Sequence, residues 1–409
     1  MALMDRFLGR IVRQGTLELT DHLGRTRSFG APTPGFPDVA VRLADADVAR
    51  FIAMRPRLGA GEAYMDGRLI IERGDIMQLI ALVRANAPWD KGGELKPKGP
   101  LRRIARAIGG RIDQINPAGR SQRNVAHHYD LDDRLYDLFL DADKQYSCAY
   151  FTDPANPLEQ AQDDKKAHIA AKLALRPGLK VLDIGCGWGG MALYLNRMAD
   201  VDVLGITLSH EQLKVARRRA EEAGVADRVT FELIDYRALT GTFDRIVSVG
   251  MFEHVGVPQY PAFFRQCRQL LAHDGVMLLH TIGRMGGPGA TDAFTSKYIF
   301  PGGYIPALSE IVRASEPARL IATDVETLRL HYAHTLRLWY QRTVEKQAEI
   351  EALYDARFFR MWTFYLAGAT AAFEHGGMCN YQVQFARSRH ALPIIRDYMA
   401  EAEGRYRSG

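Results

Sequence analysis

Val181-Leu182-Asp183-Ile184-Gly185-Cys186-Gly187-Trp188-Gly189-Gly190 decides the fold class of this chain of 409 residues. A short apolar run, 180–184, gives way to four glycines within six positions. Glycine lets a backbone turn sharply after a strand and approach a ligand closely. A mere tight turn would not need four of them. Downstream the pattern alternates. Helical spacing over 191–198 is followed by a strand at 201–206, a helix at 211–223 and strands at 229–234 and 243–249. A helix at 260–271 and a strand at 276–281 complete it. Such alternation predicts an α/β fold with a parallel, doubly wound sheet. Ligands of such sheets sit beyond the carboxyl ends of the strands, where strand order reverses. The alternating run 381–385 predicts a last, antiparallel strand at the sheet edge.

Gly185, Gly187 and Gly190 fit the dinucleotide-binding spacing, which is weak alone. That chemistry wants an acid at the tip of the second strand for the ribose hydroxyls. Here the tip reads Gly205-Ile206-Thr207-Leu208-Ser209, without one. Asp183 and the Gly-Cys-Gly-Trp-Gly-Gly spelling resemble instead the first motif of class I methyltransferases. In those the loop wraps the methionine tail and adenosine of S-adenosylmethionine.

Composition frames this core. Hydrophobic residues make up 47% and charged residues 25%, which excludes a disordered tail, a collagen-like chain and a disulfide-stapled miniprotein. Cys148, Cys186, Cys267 and Cys379 lack zinc-ligand spacing and fit a reducing compartment. The N-terminus has no apolar stretch of signal-peptide length, and the longest uncharged run near the C-terminus, 361–373, is too short to span a bilayer. The reading is therefore cytoplasmic, with any membrane contact peripheral.

Residues 1–87 mix short β-like runs at 16–19 and 27–29 with a helix carrying Ile76, Leu79, Ile80 and Val83 on one face. They read as a smaller α+β auxiliary domain. Residues 88–120 read as a basic linker and 121–409 as the catalytic domain. Within the linker, Lys96, Lys98, Arg102, Arg103, Arg106 and Arg111 occur without an acid, and Leu101, Ile104, Ala105 and Ile108 fall on one helical face. That pattern suits an anionic lipid surface. A solvated helix packed on its own domain would look the same. Nucleic acid is disfavoured, because no aromatic platform interleaves the arginines.

Seven segments in order carry a family resemblance: His128-Tyr129-Asp130-Leu131, Gln145-Tyr146-Ser147-Cys148-Ala149-Tyr150-Phe151, the glycine loop, Gly205 to Ser209, Met251-Phe252-Glu253-His254-Val255-Gly256, Tyr298-Ile299-Phe300-Pro301-Gly302-Gly303 and His331-Tyr332. Together they resemble the cyclopropane fatty acid synthase family, which includes the mycolic acid cyclopropane synthases and methyltransferases. The likeness covers about residues 120–390, and more loosely the N-terminal Gly61-Glu62-Ala63-Tyr64-Met65-Asp66-Gly67. It implies a seven-stranded class I methyltransferase sheet. It also implies methyl transfer from S-adenosylmethionine to a cis double bond of an unsaturated phospholipid, followed by ring closure. Bound bicarbonate would take the proton. Relatives imply a homodimer.

Carried over, the bicarbonate cradle would be Cys148, Glu253, His280 and Tyr332, with backbone help from Ile282. Thiol, imidazole and phenol are donors an oxyanion needs, and a carboxylate can accept from its hydroxyl. The same likeness places Tyr146 and Ser147 near the methionine part and Gly185 and Gly187 at the loop. Thr207 and Gln212 would surround the ribose, and Tyr236 the adenine. Asp183 would organise the loop and reach the methionine amine. Singly, each has a plain reading: a buried small thiol, a Glu253–His254 pair, a core histidine, a helix-packing tyrosine. Many family members carry a cysteine in the late helix where Ala369 stands here, so no cysteine mechanism from that helix is expected, and Cys379 does not replace it. The glycine- and aromatic-rich stretch 283–306, with helices expected over 328–338 and 358–373, would form an acyl tunnel wall or be plain core. Methylation without ring closure, small-molecule N-methylation and a lipid binder without catalysis are the rival functions.

Overall fold

The computed structural model describes residues 2–93 and 133–408. The basic run 96–111 and the His128–Leu131 segment lie outside the described residues. Two compact units emerge, and they interleave along the chain. The first holds the described part of Met1–Arg102 with Thr291–Pro301 and Ala333–Met378. The second holds the described part of Arg103–Ala290 with Gly302–Tyr332 and Cys379–Gly409. The aromatic-rich helices His331–Glu345 and Ala356–Glu374 thus lie largely within the first unit.

In the first unit, β1 (Gly15–Thr20) and β2 (Thr26–Ala31) form an antiparallel hairpin. β3 (Asp38–Leu43) runs parallel to β1, and β4 (Leu69–Arg73) completes a sheet of order β2-β1-β3-β4. Strict alternation in β1 drives Leu17 and Leu19 into a core with Val39, Val41, Leu43 and Leu82. Helix Ile76–Ala85 supplies Leu82 and begins with a reciprocal cap: Asp75 accepts from the Gln78 N–H while Gln78 accepts from the Asp75 N–H.

The second unit is built on β5 (Lys180–Ile184), β6 (Asp202–Thr207), β7 (Val229–Leu233), β8 (Phe243–Val249), β9 (Leu271–Arg284), β10 (Ile321–Leu328) and β11 (Met378–Ala386). Their order is β10-β11-β9-β8-β5-β6-β7. β5 pairs in parallel with both β6 and β8, and β8 with β9. The chain steps outward from β5 to β6 and β7, then returns to β8 on the other side. The strand order therefore reverses beside β5, where a ligand cleft is expected.

The alternation expected over 180–281 is present, so the α/β doubly wound reading holds. Two expectations are corrected. β11 is not the edge strand: it lies between β9 and β10, and pairs with β10 antiparallel. β10 was not anticipated, because Ile321-Ala322-Thr323-Asp324-Val325-Glu326-Thr327-Leu328 is largely polar and exposed, as suits a protected edge. Leu328 belongs to that strand, so the following helix begins at His331 rather than 328.

Candidate active site

Gly185 leaves β5 with φ +84°, and a Cβ there would stand 2.8 Å from the Met251 side chain. Only glycine meets both conditions. Its N–H and that of Cys186 donate to the Ile206 carbonyl (2.9 and 3.0 Å), tying the loop to the end of β6. Around the switch point lies a cleft, partly open to solvent. Gly185, Gly187, Thr207, Gln212 and Tyr236 line it, five of the residues the sequence assigned to the cofactor. Thr207 donates to Gln212 Oε1 at 3.0 Å, and the Ser209 hydroxyl caps the helix that carries Gln212. Met251, His254 and Val255 also line the cleft and were not assigned from sequence.

Tyr146, Ser147 and Asp183 are not among the lining residues. Tyr146 packs against Tyr136 (5.4 Å between rings), which also meets Trp188 of the glycine loop (5.1 Å). Ser147 Oγ accepts from Lys165 at 2.9 Å, and its carbonyl accepts from Gln162 at 3.0 Å. Asp183 is buried at the end of β5, and its Oδ2 has no hydrogen-bond partner among the described residues. Burial raises its carboxyl to about 7, although the Lys165 charge opposes this. A buried carboxylate oxygen lacking a donor fits a cationic amine, so the residues present fit S-adenosylmethionine.

Glu253 lies on the turn 252–254, beyond β8. Its Oε1 accepts from the Ile282 N–H at 2.6 Å; its Oε2 is buried without a partner among the described residues. Burial lifts its carboxyl to about 7, against the pull of the Ile282 amide. The Ile282 N–H is thus directed at the Glu253 carboxylate. His280, two residues earlier on the same face of β9, is buried. Burial drives its pKa down to about 3, helped by Lys165 and Lys172, so it is neutral. Its Nδ1 meets Gln382 Nε2 at 3.1 Å, and its Nε2 is unpartnered among the described residues. Cys148 is buried, and burial pushes its thiol well above the ordinary range, so it stays protonated and donates to the Ala149 carbonyl at 3.3 Å. Tyr332 is buried at the start of helix His331–Glu345. The adjacent His331 accepts from the Phe151 N–H at 2.9 Å, which brings the Cys148–Phe151 segment against that helix start.

Lys165 links these groups and was not foreseen. It is fully buried in helix Leu158–Lys172, donates to Gln145 and Ser147, and its charge acts on Cys148, Asp183 and His280. Burial lowers its pKa to about 8. Ala369 lies in helix Ala356–Glu374, and Cys379 faces the apolar core of the second unit. No cluster of three metal-binding side chains occurs among the described residues.

Behind His280 runs a buried polar chain. Lys172 Nζ donates to Gln382 Oε1 (2.8 Å) and to Glu326. Glu326 meets His168 Nε2 at 2.7 Å, and His168 Nδ1 meets Glu403 at 3.0 Å. Burial opposes the charge on His168, but two carboxylates outweigh it and raise its pKa above the ordinary 6.5. The clamp therefore contributes stability in full below about pH 6.5 and loses it as pH rises through the raised value. His168→Gln is expected to destabilise by on the order of 3 kcal/mol at acidic to neutral pH. The gap to wild type should narrow in alkali. Denaturant melts across pH check this; a gap that widens with pH would contradict it.

A glycine-loop cleft at the switch point, next to a buried carboxylate and imidazole, defines an S-adenosylmethionine-dependent methyltransferase. Residues 117–383 match the sequence model of the mycolic acid cyclopropane synthetase family. The chain belongs to that family, and its activity is of the cyclopropane-fatty-acyl-phospholipid synthase type. It is 39% identical over 368 residues to the cyclopropane-fatty-acyl-phospholipid synthase of Escherichia coli (strain K12), spanning 90% of this chain and 93% of that one. The probable fatty acid methyltransferase of Pseudomonas putida is 38% identical over 357 residues, 83% of this chain and 86% of the relative. Among solved structures, mycolic acid cyclopropane synthase CmaA1 complexed with SAH and CTAB matches with TM-score 0.63 and 33% identity, over 67% of this chain and 100% of that one. No described helix is long and apolar enough to cross a membrane.

Proposed function

We propose that this protein methylates the cis double bond of an unsaturated phospholipid acyl chain and closes it to a cyclopropane ring, with bicarbonate accepting the proton. When bound, S-adenosylmethionine supplies an electrophilic sulfonium methyl. Overall the alkene gains one carbon and one proton is released. The chain must therefore hold a proton acceptor in a water-poor place. The turn 251–255 carries this reading. Met251, His254 and Val255 line the cofactor cleft, while Glu253 turns the other way onto the Ile282 N–H beside His280. The cleft and the acceptor site are thus one short turn apart.

Bicarbonate fits these side chains. It needs donors, which His280 Nε2 and the Tyr332 phenol provide, the Cys148 thiol joining them by turning from the Ala149 carbonyl, and one acceptor for its hydroxyl, which Glu253 Oε2 provides. In the first unit, Phe294 packs on Phe364 (4.6 Å) and Tyr298 (5.1 Å), and Phe300 meets Tyr365 (6.1 Å). We assign the wall of an acyl tunnel to this aromatic cluster, in which Phe294 and Tyr365 are buried. Delivery is assigned to an anionic membrane surface on the cytoplasmic side, contacted peripherally through the basic run 96–111, by a homodimer.

The test is incubation with labelled S-adenosylmethionine and vesicles of unsaturated, partly anionic phospholipid, with product identification by mass and NMR. The expected product carries a cyclopropane methylene. Its rate of formation should fall about tenfold or more when bicarbonate is stripped, and recover when it is restored. A methyl-branched product would overturn ring closure. That second reading is favoured by 34% identity, over 93% of this chain, to a relative named tuberculostearic acid methyltransferase UfaA1 of Mycobacterium tuberculosis. No labelled lipid would overturn both.

A further inference from the structure

Which nitrogen of His280 carries its proton decides whether that ring can donate to anything in the site. The answer follows from groups behind it. A lysine ammonium has donors only, whereas an amide has a donor end and an acceptor end. Lys172 Nζ lies 2.8 Å from Gln382, and only Oε1 can receive it. The amide of Gln382 is thereby fixed, with Nε2 turned to His280 Nδ1 at 3.1 Å. Nε2 of an amide can only donate, so Nδ1 of the imidazole must accept. In a neutral ring the proton then sits on Nε2, the buried nitrogen without a partner among the described residues. Lys172 is itself held by Glu326, and Gln382 is held on β11, fully buried.

We propose that Lys172 and Gln382 are positioning residues that lock His280 as the Nε2–H tautomer, a fixed hydrogen-bond donor facing the reaction site. The inference rests on the reading of His280 as part of the acceptor site. An unlocked ring would present a lone pair to an oxyanion in part of the population, and the two would repel. The lock also explains why a lysine is buried among β-strand amides: it orients Gln382 from a side where it touches no substrate. The surrounding charges are accounted for. Glu326 meets Lys172 and His168, Asp324 lies 3.8 Å from Lys172, and Lys165 acts on His280 from seven residues earlier on the helix that carries Lys172.

The decisive measurement is the tautomer of His280 by NMR in protein carrying 15N-labelled histidine, assigned against His280→Asn. The expected wild-type pattern is a neutral ring protonated at Nε2. A ring protonated at Nδ1 overturns the proposal without any other variant. The sharpest perturbation is Gln382→Glu. A carboxylate in that place keeps its shape and pairs with Lys172, but it can only accept, so the proton must move to Nδ1. The expected result is an inverted tautomer with kcat lowered at least about tenfold, while the Kd for S-adenosylmethionine stays within about twofold. An inverted tautomer with unchanged kcat overturns the proposal. Should Gln382→Glu not fold, Lys172→Met frees the amide to flip. It should give mixed tautomers and reduced kcat, which Lys172→Arg restores; a single Nε2–H form in Lys172→Met overturns the lock. Finding the Nε2–H form in a protein that alkylates no lipid would support the lock and overturn the lipid reading.

Discussion

Glu253→Gln is expected to lower lipid alkylation by about a thousandfold, within the range spanned by loss of a positioned acid or base. The substitution is nearly isosteric, and its amide oxygen can still receive the Ile282 N–H. What changes is the other terminus: Oε2, an unpartnered buried acceptor, becomes a donor pair. A bound acid hydroxyl would lose its acceptor and meet a like group. The cofactor cleft is lined by Met251, His254 and Val255 of the same turn but not by Glu253, so the Kd for S-adenosylmethionine should change less than about threefold. The same carboxyl sets a pH limb. Burial holds it at about 7, and the proposed role needs the carboxylate, so kcat/KM should fall about tenfold per pH unit below 7, with bicarbonate concentration kept constant. Turnover of Glu253→Gln within tenfold of wild type would remove this residue from the chemistry. A limb near 4 instead would mean that the site is wetter than its burial indicates.

How legible these groups were depended on whether their neighbours in space were also neighbours in sequence. The glycine loop, Thr207 and Gln212, and Asp235-Tyr236 each follow a strand. A buried parallel strand reads as a continuous apolar run, so the run and its terminal loop announce the cleft together. Cys148, Glu253, His280 and Tyr332 carry no such signal singly; resemblance named them. Structure then supplies partners for Cys148, Glu253 and His280, most directly the bond from Ile282 to Glu253. Lys165 and Lys172 were invisible. Gln160-Ala161-Gln162-Asp163-Asp164-Lys165-Lys166 is polar at every position but Ala161, yet nearly the whole helix is buried. It is tolerated inside because each ammonium finds oxygen far away in sequence: Gln145 is 20 residues from Lys165, while Glu326 and Gln382 are 154 and 210 residues from Lys172. Partners at such separations leave no periodicity to read. β10 escaped notice for a related reason, since an edge strand with acids on its face lacks the apolar alternation that marks its neighbours.

Asp183→Asn is expected to weaken S-adenosylmethionine binding by about thirtyfold to a hundredfold, the worth of a charge-assisted hydrogen bond in a buried place. The same change should leave the ligand-free protein as stable as wild type within about 1 kcal/mol, or more stable. The two signs differ for one physical reason. Without a cation nearby, the Asp183 carboxyl is buried with an unpartnered oxygen, and burial lifts its pKa to about 7. Its charge is thus a cost to the empty fold above that pH, which a neutral amide relieves. With an ammonium group at hand the same charge becomes attractive, and the amide cannot supply it. Affinity in the wild type should therefore strengthen as pH rises through about 7, where the carboxyl ionises, while Asp183→Asn should show a flat profile there. Calorimetric titration across pH with parallel denaturant melts measures both quantities. A loop organiser with no part in binding would instead lose stability on substitution and keep the wild-type pH profile of affinity, and that pair of results would assign Asp183 to the fold alone.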